Sequence, residues 1–261
     1  MDIGTGLSIL GSAKVLEQLL GPTASYVGEG IKEWAERRHA NVERIFEIAH
    51  KRLGCRINEP GAVPPRVLKE ILGEGSFAED PLMSEYFGGV LASSRSTISR
   101  DDIAATHLSC LGRLSTYQIR AHYVIYRGLA LLFKGREFDG NTSSLAKVSI
   151  SYEGFNLAMD FCGEENSLSI IAHVLLGLAR ESLVGPELAS GPLEMLHGMC
   201  PAATEPGLVV QPSLQGLDLF LWAHGQSSVD LNDFFKAASG FPDLVELRLE
   251  MNQFRVCTTT A

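Results

Sequence analysis

The chain has 261 residues, 45% hydrophobic and 20% charged, with a formal net charge of −9. That is enough apolar residue for a real core and excludes intrinsic disorder, at a length of one large domain or two ordinary ones. The charge is uneven. Residues 1–138 carry 17 Lys/Arg against 16 Asp/Glu, whereas residues 139–261 carry 5 against 15, a net of −10. Two units with different surfaces are therefore expected, 1–138 and 139–261. The acidic half disfavours nucleic acid as a partner, because phosphate binding rests on Lys/Arg contacts.

Residues 3–20 (IGTGLSILGSAKVLEQLL) read as a first helix with an unusual share of small residues. Small residues let helices approach closely but weaken an isolated helix, so this element needs a partner surface. Its own domain, a second copy and a lipid surface all fit. Asp2 precedes any Lys or Arg, the first being Lys14, so no signal-peptide n-region is present and a cytoplasmic location is expected.

Gly21–Leu53 follows as a long helix, with Thr23 as a cap, Trp34 on one side, charges on the other and Gly54 as its stop. Trp34 and Phe46 are candidate anchors of a core or an interface. Pro60, Gly61, Pro64 and Pro65 mark a loop, and Pro65 starts a helix to Leu72. Residues 79–94 (EDPLMSEYFGGVLASS) form a further helix with acids at its start and an apolar stripe.

From Asp102 the pattern predicts one helix to Phe133, opened by a capping-box-like Ser99–Asp102 pair. Arg113, Arg120, Arg127 and Lys134 recur along it every seven residues. A helix drifts only about 20° per heptad, so the four cations form one stripe. It is either a solvated face, a clamp onto the acidic half, or a dock for an anionic partner.

After Gly135 the texture changes. Lys147–Tyr152 alternates as a strand, and the apolar run 157–162 suggests a second strand or hairpin. Residues 167–184 read as a buried helix in which His173 is a satisfied core histidine. A broken helical region runs from Gly185 to about 199, and Leu208–Val210 is a strand. LDLFLWAHG (217–225) and Val229–Ser239 are helices, and Leu244–Val256 is a terminal strand. The expected fold is mainly α: an N-terminal helical domain, then a smaller α+β, winged-helix-like domain.

No phosphate loop, dinucleotide fingerprint, nucleophile elbow or HExxH motif occurs, and GEGS at 73–76 lacks a lysine. The five cysteines (Cys55, Cys110, Cys162, Cys200 and Cys257) form no CxxC pair and read as reduced thiols. The seven histidines do not cluster with them. No catalytic residue, cofactor or metal is assigned.

Residues 21–133 carry a further pattern: Gly21-Pro22, Gly28, Trp34 with Arg38 and Asn41, VPPRVL at 63–68, and EDPLMSEYFGGVLASS at 79–94 with its Leu91-Ala92 pair. This half of the chain resembles the Abi-alpha (abortive-infection alpha domain) family. The resemblance implies an all-α bacterial domain linked to antiphage defence, and no active site. Gly88-Gly89 depart from the family's polar or aromatic residues and point to tighter helix contact.

The leading expectation is a non-enzymatic defence protein, with further copies of itself, a second defence-system protein or a phage component as partner. Trp34 and the stripe Arg113, Arg120, Arg127 and Lys134 are its candidate interaction residues. The alternatives are a membrane-disrupting effector acting through residues 3–20 and a winged-helix-like nucleic-acid-binding regulator.

Overall fold

The structure, a computed structural model, describes residues 30–98, 100–135 and 147–257, with the backbone alone for 30–35. The small-residue helix at 3–20, Thr23, Ser99 and the boundary near 139 lie outside the described residues. The described residues are mostly helical, with one small antiparallel sheet in the C-terminal part.

Helix α1 (Gly30–Leu53) buries Asn41, Ile45, Ala49 and Leu53, a series at spacing four that lines one helix face. Helix α2 (Pro65–Gly73) places Pro65 in its first turn and buries Val67 and Ile71. Helix α3 (Pro81–Ser93) is capped by Asp80, whose carboxylate accepts from the Met83 amide at 2.9 Å.

Helix α3 is the axis of the molecule, buried on almost every side from Tyr86 to Ala92. Two glycines make that burial possible. A Cβ on Gly88 would stand 2.4 Å from the Ile48 side chain of α1. On Gly89 it would stand 1.8 Å from the Ala223 carbonyl, at the end of helix α9 (Leu214–Ala223). The Gly88-Gly89 pair thus lets α1 and α9 both close on α3.

The single helix expected from Asp102 to Phe133 is two: α4 (Ala104–Leu111) and α5 (Thr116–Leu132). The break is built by a capping box. Ser115 Oγ accepts from the Gln118 amide, and the Gln118 carboxamide oxygen accepts from the Ser115 amide at 2.9 Å. These bonds satisfy donors at the start of a new helix, and the apolar periodicity carries on across the break.

Strand β1 (Lys147–Ser151) leads into helix α6 (Tyr152–Met159), not into a second strand, because Ser151 caps the helix through the Gly154 amide. Helix α7 (Ser167–Arg180) buries only one face: Leu168 and Leu176 stay 65% and 71% exposed. The region after Gly185 is strand β2 (Val184–Gly191) followed by the short helix α8 (Leu193–His197). Strand β3 (Gly207–Pro212) precedes α9, and helix α10 (Phe234–Ala238) is shorter than its apolar pattern.

The terminal strand is confined to β4 (Phe254–Cys257). Upstream of it the Leu244 amide donates to the Tyr123 hydroxyl at 2.8 Å, so that segment is tied to α5 and not to a strand neighbour.

The sheet order is β2-β3-β1-β4, every pair antiparallel. Its pleat divides the side chains. Val148, Ile150, Leu208, Val210 and Phe254 face the main core, which is continuous from α1 to β4. Val209 faces a satellite cluster with Leu196, Cys200 and Cys257. Cys200 and Cys257 are disulfide-bonded, their Cα atoms 4.6 Å apart across a sequence separation of 57. The reading of five reduced thiols is corrected to three: Cys55, Cys110 and Cys162.

Candidate functional site

The four cations at heptad spacing do not share one helix, because Arg113 stands in the break before α5. Three of them reach residues beyond 139. Arg113 donates from Nε at 3.0 Å and Nη2 at 2.6 Å to one carboxylate oxygen of Glu181, just past α7. The bond from Arg113 is the main cause that holds the Glu181 carboxyl below the usual range. Arg120 donates from Nε to the Ala158 carbonyl near the end of α6, at 3.0 Å. Arg127, 7% exposed, donates to Asp243 at 2.7 Å and to the Ala238 carbonyl at 3.0 Å.

Ala158 and Ala238 lie at helix C-termini, where carbonyls lack intrahelical partners and cations are favoured. Half of the stripe's chemistry is therefore directed at helix ends and not at acids. Lys134 is exposed. The Trp34 side chain lies outside the described residues, and Phe46 is 42% exposed.

Beneath the stripe, α5 carries a buried polar row. His122 Nε2 donates to the Gly216 carbonyl at 3.1 Å, which leaves Nδ1 to accept from the Tyr86 hydroxyl at 2.7 Å. Burial lowers the His122 pKa to about 3. Tyr126 donates to the Leu183 carbonyl at 2.5 Å and accepts from the Ser213 amide at 3.0 Å. The spacing His122–Tyr126 sets both rings on one helix face, 4.5 Å apart between centroids. That spacing was the available signal for a partnered pair, but their partners come from α3, the start of α9 and Leu183, far away in sequence. His173, read as a core histidine, is exposed; it meets Ser115 Oγ at 3.0 Å and Gln118 Nε2 at 3.1 Å.

Sequence reasoning missed a cleft of about 410 Å³. Helix α1 supplies Ile48, Lys51 and Arg52, α3 supplies Glu85, and the rest comes from His224, Gln226 and Phe241–Leu244. Arg52 bonds Glu85 at 2.5 Å and the His224 carbonyl at 3.3 Å, and Arg56 bonds the Gly225 carbonyl at 3.1 Å. The two arginines together cap the C-terminus of α9.

His224 is 3% exposed, and its ring stands 5.0 Å from that of Phe241. Its Nδ1 lies 2.8 Å from the Phe220 carbonyl, a contact that requires the proton on Nδ1. Nε2 is then a bare acceptor. The neighbouring Pro242 carbonyl favours a protonated ring, but it is itself an acceptor and cannot serve this nitrogen. Burial outweighs it and lowers the His224 pKa to about 3. Both His224 Nε2 and Arg52 Nε are buried without a hydrogen-bond partner.

On another face, Leu68, Leu72 and Phe77 are 37%, 50% and 56% exposed. Leu68 and Leu72 lie one turn apart on α2, and the Arg38 guanidinium sits 4.2 Å from the Phe77 ring centre. Arg38 also reaches the Leu72 carbonyl at 3.4 Å, so these groups form one surface.

The fold and these sites define a mainly helical protein with a small antiparallel sheet, internally clamped by arginines. Comparison with protein-family models, curated proteins and solved structures finds no match to the chain.

Proposed function

We propose that this is a non-enzymatic bacterial defence protein that acts through protein–protein contact and self-assembly. The observation that carries the interaction reading is the apolar face of Leu68, Leu72 and Phe77 framed by Arg38. Aromatic and arginine side chains are the usual anchors of interfaces. The antiphage setting rests on the resemblance of residues 21–133 to the Abi-alpha family alone. In this reading the partner is a second copy of this chain.

The non-enzymatic part draws on the state of the titratable groups. His122 and His224, with pKa values of about 3, are poor proton carriers near neutral pH. Burial pushes the Cys110 thiol up to about 11, which leaves it unreactive.

Light scattering tests the reading. The chain is expected at a multiple of its 28.3 kDa, and Leu72→Ser with Phe77→Ser is expected to return it to one copy. A wild-type protein that stays monomeric at about 100 µM would overturn self-assembly. Equal plaque counts with and without the chain, across unrelated phages, would end the defence setting.

Among the described residues no helix is long and apolar enough to cross a membrane. The membrane alternative turns on residues 3–20, outside the described residues, and vesicle leakage is its test. The winged-helix-like regulator has the less support: its sheet sits in the half that carries a net of −10.

A further inference from the structure

The cleft between α1, α3 and the 241–244 segment has the features of a ligand site and no role in the reading above. Its volume, about 410 Å³, lies in the range of small-molecule pockets. Ile48, Phe241, Pro242 and Leu244 give it apolar walls. Its two carboxylates are already engaged, Glu85 by Arg52 and Asp243 by Arg127. Lys51 is exposed and makes no ion pair among the described residues, which leaves one uncompensated cation at the mouth.

Two of the lining residues carry the decisive feature. Arg52 Nε is a donor without an acceptor, and His224 Nε2 is an acceptor without a donor. Buried polar groups are almost always paired, and each unpaired one costs roughly 1–3 kcal/mol. Two complementary orphans on residues lining one cleft match a ligand that offers an acceptor and a donor on one edge. Flat heteroaromatic rings present such an edge, and their faces suit the apolar walls and the Phe241 ring. Both nitrogens are covered from solvent, so contact with them needs lining side chains to turn aside, a rotamer change of a kind common on binding.

We propose that this cleft binds a small heteroaromatic anion, its ring edge bonded to Arg52 Nε–H and His224 Nε2 and its negative group facing Lys51. Nucleoside monophosphates and heteroaromatic carboxylates both present that chemistry.

Isothermal titration of the full chain with AMP, GMP, CMP, UMP, uracil-5-carboxylate, orotate and inorganic phosphate separates the sources. At least one ring-bearing anion is expected to bind at one per chain, and whether it is a phosphate or a carboxylate identifies the class. Lys51→Ala is expected to weaken it about tenfold, which corresponds to about 1.4 kcal/mol, with no change in melting. His224→Phe keeps the ring but removes the acceptor, and is expected to abolish binding. Lys51→Ala keeps the proposal falsifiable if the His224 variant does not fold. Inorganic phosphate binding as tightly as every ring-bearing anion means an adventitious ion only and overturns the proposal. So does the absence of heat with all six ring compounds up to about 1 mM, or binding that neither variant changes.

Discussion

Four cations at identical sequence spacing are expected to contribute very unequally to stability, and truncating each to alanine measures this. Arg127→Ala removes a side chain that is 9% exposed, its bond to Asp243 and its bond to the Ala238 carbonyl. Breaking a fully buried pair costs about 3–5 kcal/mol. Asp243 is 52% exposed and also bonds the Tyr123 hydroxyl, so it is not left stranded, and about 2–3 kcal/mol is expected. Arg120→Ala loses one charged bond to a carbonyl from a half-buried position, about 1–1.5 kcal/mol. Arg113 is 53% exposed, so its pair with Glu181 is worth at most about 1 kcal/mol. Lys134→Ala falls within about 0.5 kcal/mol of zero. Denaturant midpoints at constant slope report these differences. Equal losses at the four positions, or a Lys134 effect larger than that of Arg127, would refute the account. Reversing Arg120 and Arg127 together to Glu sets two anions against helix-end carbonyls. That is expected to abolish a cooperative melt in a domain whose total stability is only about 5–15 kcal/mol.

The Cys200–Cys257 disulfide closes a loop with a sequence separation of 57, so reduction, or Cys257→Ser, is expected to cost about 4 kcal/mol on the loop-entropy account. A melting temperature indifferent to reductant would show that the bond does not form. Acid is expected to destabilise the protein early. His122 and His224 have folded pKa values of about 3 against 6.5 unfolded, so between these limits only the unfolded chain takes up their protons. Their contribution is complete above about pH 6.5 and is lost as pH falls towards 3, at about 1.4 kcal/mol per pH unit for each histidine. Glu181, with its lowered pKa, acts in the same direction below the ordinary carboxylate range. Urea midpoints from pH 7 to 4 measure the slope, which is expected to fall by about half in His224→Phe; a flat profile contradicts the buried neutral rings.

The sequence displayed those elements whose boundaries have local causes. Pro65 and Asp80 mark the starts of α2 and α3, and the apolar run from Leu217 gives α9. The alternation at 147–152 gives β1, and the Gly88-Gly89 pair announced a tight contact that α1 and α9 supply. The break at Ser115 was also local, since Ser115–Gln118 is a capping box, but the heptad of cations continues across it. The run 157–162 misled because apolar composition does not distinguish a strand from one face of a short helix. The cleft was not legible. Arg52 and His224 lie 172 residues apart, and they meet because Gly88 and Gly89 bring α1 and α9 onto α3. The disulfide is of the same kind, as neither cysteine carries a neighbouring signal.

Contacts between the residues up to Gly135 and those from Lys147 onward meet at one junction. The 241–244 segment is held from α5, by Tyr123 through the Leu244 amide and by Arg127 through Asp243. The end of α9 is held from α1, by Arg52 and Arg56. The cleft lies between these two tethers, and Asp243 belongs to both a tether and the cleft wall. Its C-terminal wall is therefore fixed in place by the N-terminal helices that form the opposite wall, and a ligand in it would touch both. Binding at a hundred times the dissociation constant stabilises a folded chain by about 2.7 kcal/mol. That is the same order as the loss expected for Arg127→Ala. A ligand in the proposed site at that concentration would thus act on the same junction as the arginine clamp, with comparable strength.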